Sequence, residues 1–170
     1  MEELSQANIV FDIYPRREEM ERRDDFTLYD IGEGYLGAGQ LNQTEENVAQ
    51  GILLAYDKDG DLVFRGGLDY HHGRAALGQT SGSFQRAREH KGHRIGRKMA
   101  VVGLNVLENL ISQEDLPLEG IGVKTKPDSS MAKIAEFIGM NDEEGKGLYQ
   151  MTAFPETEEL MDQLGIKKLE

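Results

Sequence analysis

FQRAREHKGHRIGRK, residues Phe84 to Lys98, holds six Lys or Arg against the single Glu89, a net charge of +5 within a chain of net −12. The other residues therefore sum to −17. A compact cationic island in an acidic protein suits one specific anion better than a polymer, because polymer binding draws on a broad basic surface. Gly92 and Gly96 lie within the island, and an amphipathic run begins at Ile95. That is the pattern of an anion-gripping loop at a helix N-terminus, where free backbone N–H groups and the positive end of the helix dipole converge. The bland alternative is a surface loop whose cations pair with the acidic remainder.

After the loop, Ile95, Met99, Val102, Val106 and Leu110 fall on one stripe with Leu107 and Ile111 beside it, which predicts a helix. Gly103 inside that helix costs about 1 kcal/mol of propensity and implies close packing on a sheet. Before the loop, ILLAY, DKDGD and LVFRGGLDY, together Ile52 to Tyr70, read as strand, turn and strand, with Asp59-Gly60 supplying the tight turn. A third strand is expected from about Leu77 towards Arg86, ending at the basic loop. Ser81, Gly82 and Ser83 are poor strand formers, so that strand is locally irregular or closely approached by another group.

Further along, LEGIGV from Leu118 reads as a short apolar strand, and Asp128 or Ser129 caps a helix that runs through Ile138 and stops at Gly139. Met140 to Phe154 reads as strand, acidic turn and strand, and ETEELMDQL as a short helix within 156–165. At the other end, Ala7 to Tyr14 reads as a strand ended by Pro15, and Arg16 to Asp25 as a solvated helix with opposite charges at i,i+4. Residues 27–54 carry several glycines and a polar segment, and no element is assigned before Ile52. Leu169 and Glu170 are left out of the fold argument. The fold class expected is α/β (α+β), a mixed, mostly antiparallel central sheet flanked by helices.

At 170 residues the chain suits a single domain, 1–170, able to bury roughly two-thirds of its unfolded surface. With 38% hydrophobic and 29% charged residues it has the composition of a folded protein. It has no Cys, which excludes disulfides, thiolate metal sites and a Cys nucleophile. No cationic leader precedes an apolar run and no stretch approaches the roughly 18 apolar residues of a membrane span, so a cytoplasmic protein with no membrane partner is expected. The acidic balance argues against nucleic acid and favours cationic or amine partners. There is no G-x-x-x-x-G-K-[ST], and no G-x-G-x-x-G after a strand, so neither a P-loop NTPase nor a dinucleotide-binding fold is supported.

KGHRIG, Lys91 to Gly96, set between a strand and a long helix, resembles motif A of the GNAT (N-acetyltransferase) superfamily, whose consensus is R/Q-x-x-G-x-G/A. The order of elements over about residues 52–154, including a second helix ending Ile138-Gly139-Met140, is similar to that family's. The resemblance implies a GNAT-like acyl-CoA N-acyltransferase fold and transfer of an acetyl group from acetyl-CoA to an amine acceptor, which is a small molecule, a peptide or a protein. It leaves room for a homodimer. It implies that the pyrophosphate is held by Lys91, Gly92, His93, Arg94, Ile95, Gly96 and Arg97, with Lys98 adding charge. Phe84, Gln85 and Arg86 then end the strand that pairs with the pantetheine arm and splays from LEGIGV to admit it. The family's chemistry needs a base for the ammonium proton, backbone donors for the oxyanion and an acid for the thiolate.

The chain departs from the pattern in four places. Arg94 stands where the consensus has Gly, which the loop accepts if its backbone stays at negative φ. Ala135 stands where many members carry the Tyr that protonates the thiolate, and Asp128 where many carry an Asn, leaving Ser129, Ser130 and Tyr149 as stand-ins for the acid. Thr80 stands where some members carry a Glu base, and His72, beside Asp69 and His71 at the end of the hairpin, is the candidate base because its pKa range suits a proton acceptor. The His pair lacks further ligand spacing, and no metal is expected. A second reading follows from Ala135: a binding protein of the same fold, with an acidic face that docks a basic partner.

Overall fold

A computed structural model describes residues 14–79 and 93–169. The elements run α1 (Arg17–Glu21), β1 (Thr27–Asp30), β2 (Leu36–Glu45), β3 (Val48–Tyr56), β4 (Leu62–His71), β5 (Arg74–Gln79), α2 (Ile95–Gln113), β6 (Gly120–Lys124), α3 (Ser130–Phe137), β7 (Leu148–Met151), α4 (Thr157–Leu164) and β8 (Lys167–Lys168). Their strands form one sheet of eight in the order β7-β6-β5-β4-β3-β2-β1-β8. Among the described residues only β5 and β6 pair in parallel, and the chain passes between them through α2. This is a mixed α+β fold with a mostly antiparallel sheet flanked by helices. Of the strand expected at Ala7 to Tyr14 all but Tyr14 lies outside the described residues, as does the end of the third strand with its Ser-Gly-Ser segment.

The hairpin at Ile52 to Tyr70 forms because Asp57 organises its turn: one carboxylate oxygen accepts from the amides of Asp59 and Asp61, each at 2.9 Å. Its strands continue outward on both sides. Residues 27–51, unassigned from the sequence, supply β1, β2 and the first four residues of β3. The alternation that marks a half-buried strand is missing there for a physical reason. α2 lies so close that a Cβ on Gly39 would stand 2.7 Å from Val106, so glycine occupies positions where an apolar side chain would be expected.

α2 is buried along its apolar stripe against β2 to β5, and it packs tightly again at Gly103, where a Cβ would meet Leu53 and Leu77 at 2.9 Å. The sequence expectation of tight packing at that position agrees with this geometry. A second, smaller cluster on the opposite face places Met20 of α1 with Leu36, Leu54, Tyr56 and Leu62. α3 begins at the expected cap: Ser129 Oγ accepts from the Ala132 amide at 3.1 Å. β8 was not expected. Two lysines have no strand propensity of their own, and they pair because Ile166 and Leu164 anchor the preceding turn in the core.

A buried polar pair joins sheet and helix in the core, where the Tyr29 hydroxyl donates to Asn105 Oδ1 at 2.7 Å. Burial holds the Tyr29 pKa well above its ordinary value, so the hydroxyl is a neutral donor across the working pH range. Tyr29→Phe leaves the Asn105 oxygen only the long hydrogen bond donated by Asn109 Nδ2 at 3.4 Å. It is expected to cost about 1–2 kcal/mol, readable as a shift of the urea unfolding midpoint without a change in slope.

Candidate functional site

β5 and β6 pair only over Arg74↔Gly120, Ala75↔Ile121 and Ala76↔Gly122. Beyond that point both strands continue, but apart. β5 stays bonded to β4 as far as Gln79↔Gly66, and β6 stays bonded to β7 as far as Lys124↔Leu148. The sheet therefore opens between its two parallel strands at their C-terminal ends, each lip held by an antiparallel neighbour. Among the described residues, β5 and β6 do not pair past Ala76 and Gly122, and an extended ligand can bond to the inner-edge backbone groups there.

The register puts the β1–β2 turn, the β3–β4 turn and the ends of β5 and β6 at one end of the sheet. The N-terminus of α2 reaches the same end, since His93 Nδ1 makes a close hydrogen bond to Glu33 Oε2 in the β1–β2 turn and its ring lies 4.9 Å from that of Tyr35. That bond is the main reason the Glu33 carboxyl is held below the usual carboxylate range. Arg94 is the N-cap, and it makes no side-chain cap. The first turn of α2 contains no acidic residue and instead carries Arg97 and Lys98. By contrast α1 and α4 have acidic first turns and α3 has its Ser129 cap. A helix start without a cap and ringed by cations is electrostatically unfavourable by itself and becomes favourable when an anion meets its amides.

The cations at this end have distinct placements. The Arg97 guanidinium stacks on the Phe137 ring of α3, 4.4 Å from its centre, and Arg94 is exposed. Among the described residues neither makes an ion pair. Lys98 departs from expectation: it is buried and donates to the Ile31 carbonyl at 2.6 Å, so it pins the β1–β2 turn to α2. Arg94 also departs, with φ 54 and ψ 40 in the left-handed region. The backbone thus keeps the conformation that a glycine at this position would favour, and the arginine tolerates it at a cost of about 1–2 kcal/mol. Ile95 is buried and contributes packing, while Gly96 lies against Ile134 of α3. Phe84, Gln85, Arg86, Lys91 and Gly92 are outside the described residues.

His72 lies elsewhere. It occupies the β4–β5 turn at φ 45, exposed, with its ring edge-on to His71, at the start of β5 and so at the opposite end of that strand from the opening. The structure does not bring it together with His93 to Arg97. Ala135 is buried in α3, where it has no hydroxyl to offer. Ser129 is engaged by its cap and by Thr125 Oγ1 at 2.9 Å, and Ser130 is exposed. Tyr149 pairs with Val123, one residue beyond the last β5–β6 pair, and is buried. Burial first, then the carboxylates of Glu136, Asp142 and Asp128, push its hydroxyl pKa up, which keeps the proton on at neutral pH. Glu33, Tyr35 and Phe137 belong to this end of the molecule but were not singled out from the sequence. The glycine-bracketed GEGY run was the only available signal for the first two.

Among the described residues, no cluster of three or more His, Asp or Glu is arranged to hold a metal ion, and no helix is long and apolar enough to cross a membrane. No family model matches the chain, and no curated protein matches it. A solved structure that does match is a mutant of spermidine N-acetyltransferase SpeG from Vibrio cholerae, at 16% identity and a TM-score of 0.40, over 62% of this chain and 64% of that one. The matched part is thus under two thirds of that enzyme's length, and a likeness this distant carries no argument about family or activity.

Proposed function

We propose that the chain is an acetyl-CoA-dependent N-acetyltransferase with an amine acceptor, of the GNAT type that its loop resembles. The observation that carries this reading is the opening between β5 and β6 beside the uncapped, cation-ringed start of α2. In this reading the Gly96 and Arg97 amides, with the Arg94 and Arg97 side chains and the ring of His93, hold the diphosphate. The Phe84 to Gly92 segment completes the cradle. The inner edges of β5 and β6 hydrogen-bond the pantetheine amides and offer an N–H to the developing oxyanion. Acetyl-CoA supplies a thioester carbonyl that a neutral amine attacks directly. Tyr149 is the favoured acid for the departing thiolate, because it pairs with Val123, one residue past the last β5–β6 pair, and burial helps to keep its proton on at neutral pH. No base is assigned, and His72 is too far along β5 for that role. The net charge of −12 favours a cationic acceptor in an intracellular setting.

Thermal melting with acetyl-CoA and with desulfo-CoA tests the binding half of the proposal: both ligands raise Tm, and no rise with either at high concentration removes it. Thiol release with a panel of amines then tests the chemistry. The buried Ala135 favours a second reading, in which the fold binds CoA without transferring the acyl group. Stabilisation without thiol release would select it.

A further inference from the structure

We infer that the cleft beside β7 is a docking groove for a basic peptide segment that carries apolar side chains. The cleft has a volume of about 700 Å³ and runs along β7 from Arg74 and Gly120, the first residues of β5 and β6, to Leu148, the partner of Lys124 at the end of β6. Its apolar floor includes Ile138, Met151 and Leu148. Leu148 is 46% exposed, and Leu169 is the only other large apolar side chain so exposed among the described residues. A single exposed leucine is ordinary, but one lining a concavity beside other apolar side chains is a place for an anchor residue.

The rim sets the chemistry of the occupant. Glu119, Asp142, Glu143 and Glu144 line the cleft against the one Arg74. Asp142 serves its own turn, accepting from the Gly147 amide at 2.8 Å, and Glu144 lies 3.6 Å from Lys146. Glu119 and Glu143 make no ion pair among the described residues. Exposed carboxylates of this kind steer and orient a cation but hold it weakly in salt, so the apolar floor must supply the remaining affinity. A bare polyamine meets only the first condition, whereas a Lys- or Arg-rich segment with leucine-sized anchors meets both. Main-chain pairing along β7 is not the mode, because Asn141 already closes that edge by exchanging hydrogen bonds with Gln150 at 2.9 and 3.0 Å.

The test is fluorescence anisotropy of a labelled peptide with a Leu-Leu pair flanked on both sides by lysines, titrated with the full chain. Saturable binding is expected, weakened at least tenfold by Leu148→Ser, by Glu143→Lys with Glu144→Lys, and by serines in place of the peptide's leucines. The variant Arg94→Glu with Arg97→Glu binds the peptide like the wild type, so failure of the coenzyme reading leaves the groove standing. Absence of saturable binding, indifference to both Leu148→Ser and the peptide's leucines, or displacement by spermine as effective as by unlabelled peptide would each overturn the proposal.

Discussion

Arg94→Glu combined with Arg97→Glu is expected to lower affinity for coenzyme A at least tenfold, or about 1.4 kcal/mol. Both cations stand at the start of α2. Neither is paired with a carboxylate among the described residues, and the helix they flank has no side-chain cap. Reversing both charges puts carboxylates where the diphosphate would sit, at the positive end of a 19-residue helix. The substitution even improves the helix on its own terms, since acidic residues suit a first turn. Loss of the Arg97 contact with Phe137 offsets part of that gain. Stability is therefore expected to change little while binding falls, a separation that isothermal titration and urea unfolding read independently. Equal affinity in the two proteins would mean that the diphosphate is held elsewhere.

Gly51→Ala, the smallest change available in β3, is expected to cost about 3 kcal/mol of stability. A Cβ built at Gly51 lies 2.1 Å from the Gln40 carbonyl oxygen and 2.9 Å from the Leu41 Cα. Both neighbours are backbone of β2, which is locked by the register Gln40↔Ile52 and Leu41↔Gly51. A flexible side chain could move aside, whereas this backbone moves only by breaking ladder hydrogen bonds. A loss of that size is a large part of the 5–15 kcal/mol typical of a folded domain. Chemical denaturation measures it, and a change under about 0.5 kcal/mol, the range of ordinary surface substitutions, would show that β2 and β3 are less closely locked than described.

The parts of the fold legible in the sequence were those with strong local signals. The stripe of α2 begins at Ile95 as read, the hairpin around Asp59-Gly60 is where its turn residues put it, and Ser129 caps α3. Elements whose form depends on distant neighbours were not legible. β2 lost its alternation because α2 presses on its glycines, and β8 exists because β1 has an edge to offer. The site divides in the same way. Clustered charge and glycine spacing mark the loop, but whether a lysine points outward or into the core is a tertiary fact, so Lys98 was read as a surface cation when it holds the Ile31 carbonyl. Likewise the sequence offered His72 by residue type alone, and only strand direction reveals that it lies at the wrong end of β5.

The most direct test of the central claim is amide hydrogen exchange measured by NMR with and without desulfo-CoA. The account predicts slowed exchange at inner-edge amides of Leu77 to Gln79 and of Val123 and Lys124, together with Gly96 and Arg97 at the start of α2. Unchanged exchange at the lips of the β5–β6 opening while the ligand is bound, with protection appearing elsewhere, would contradict it.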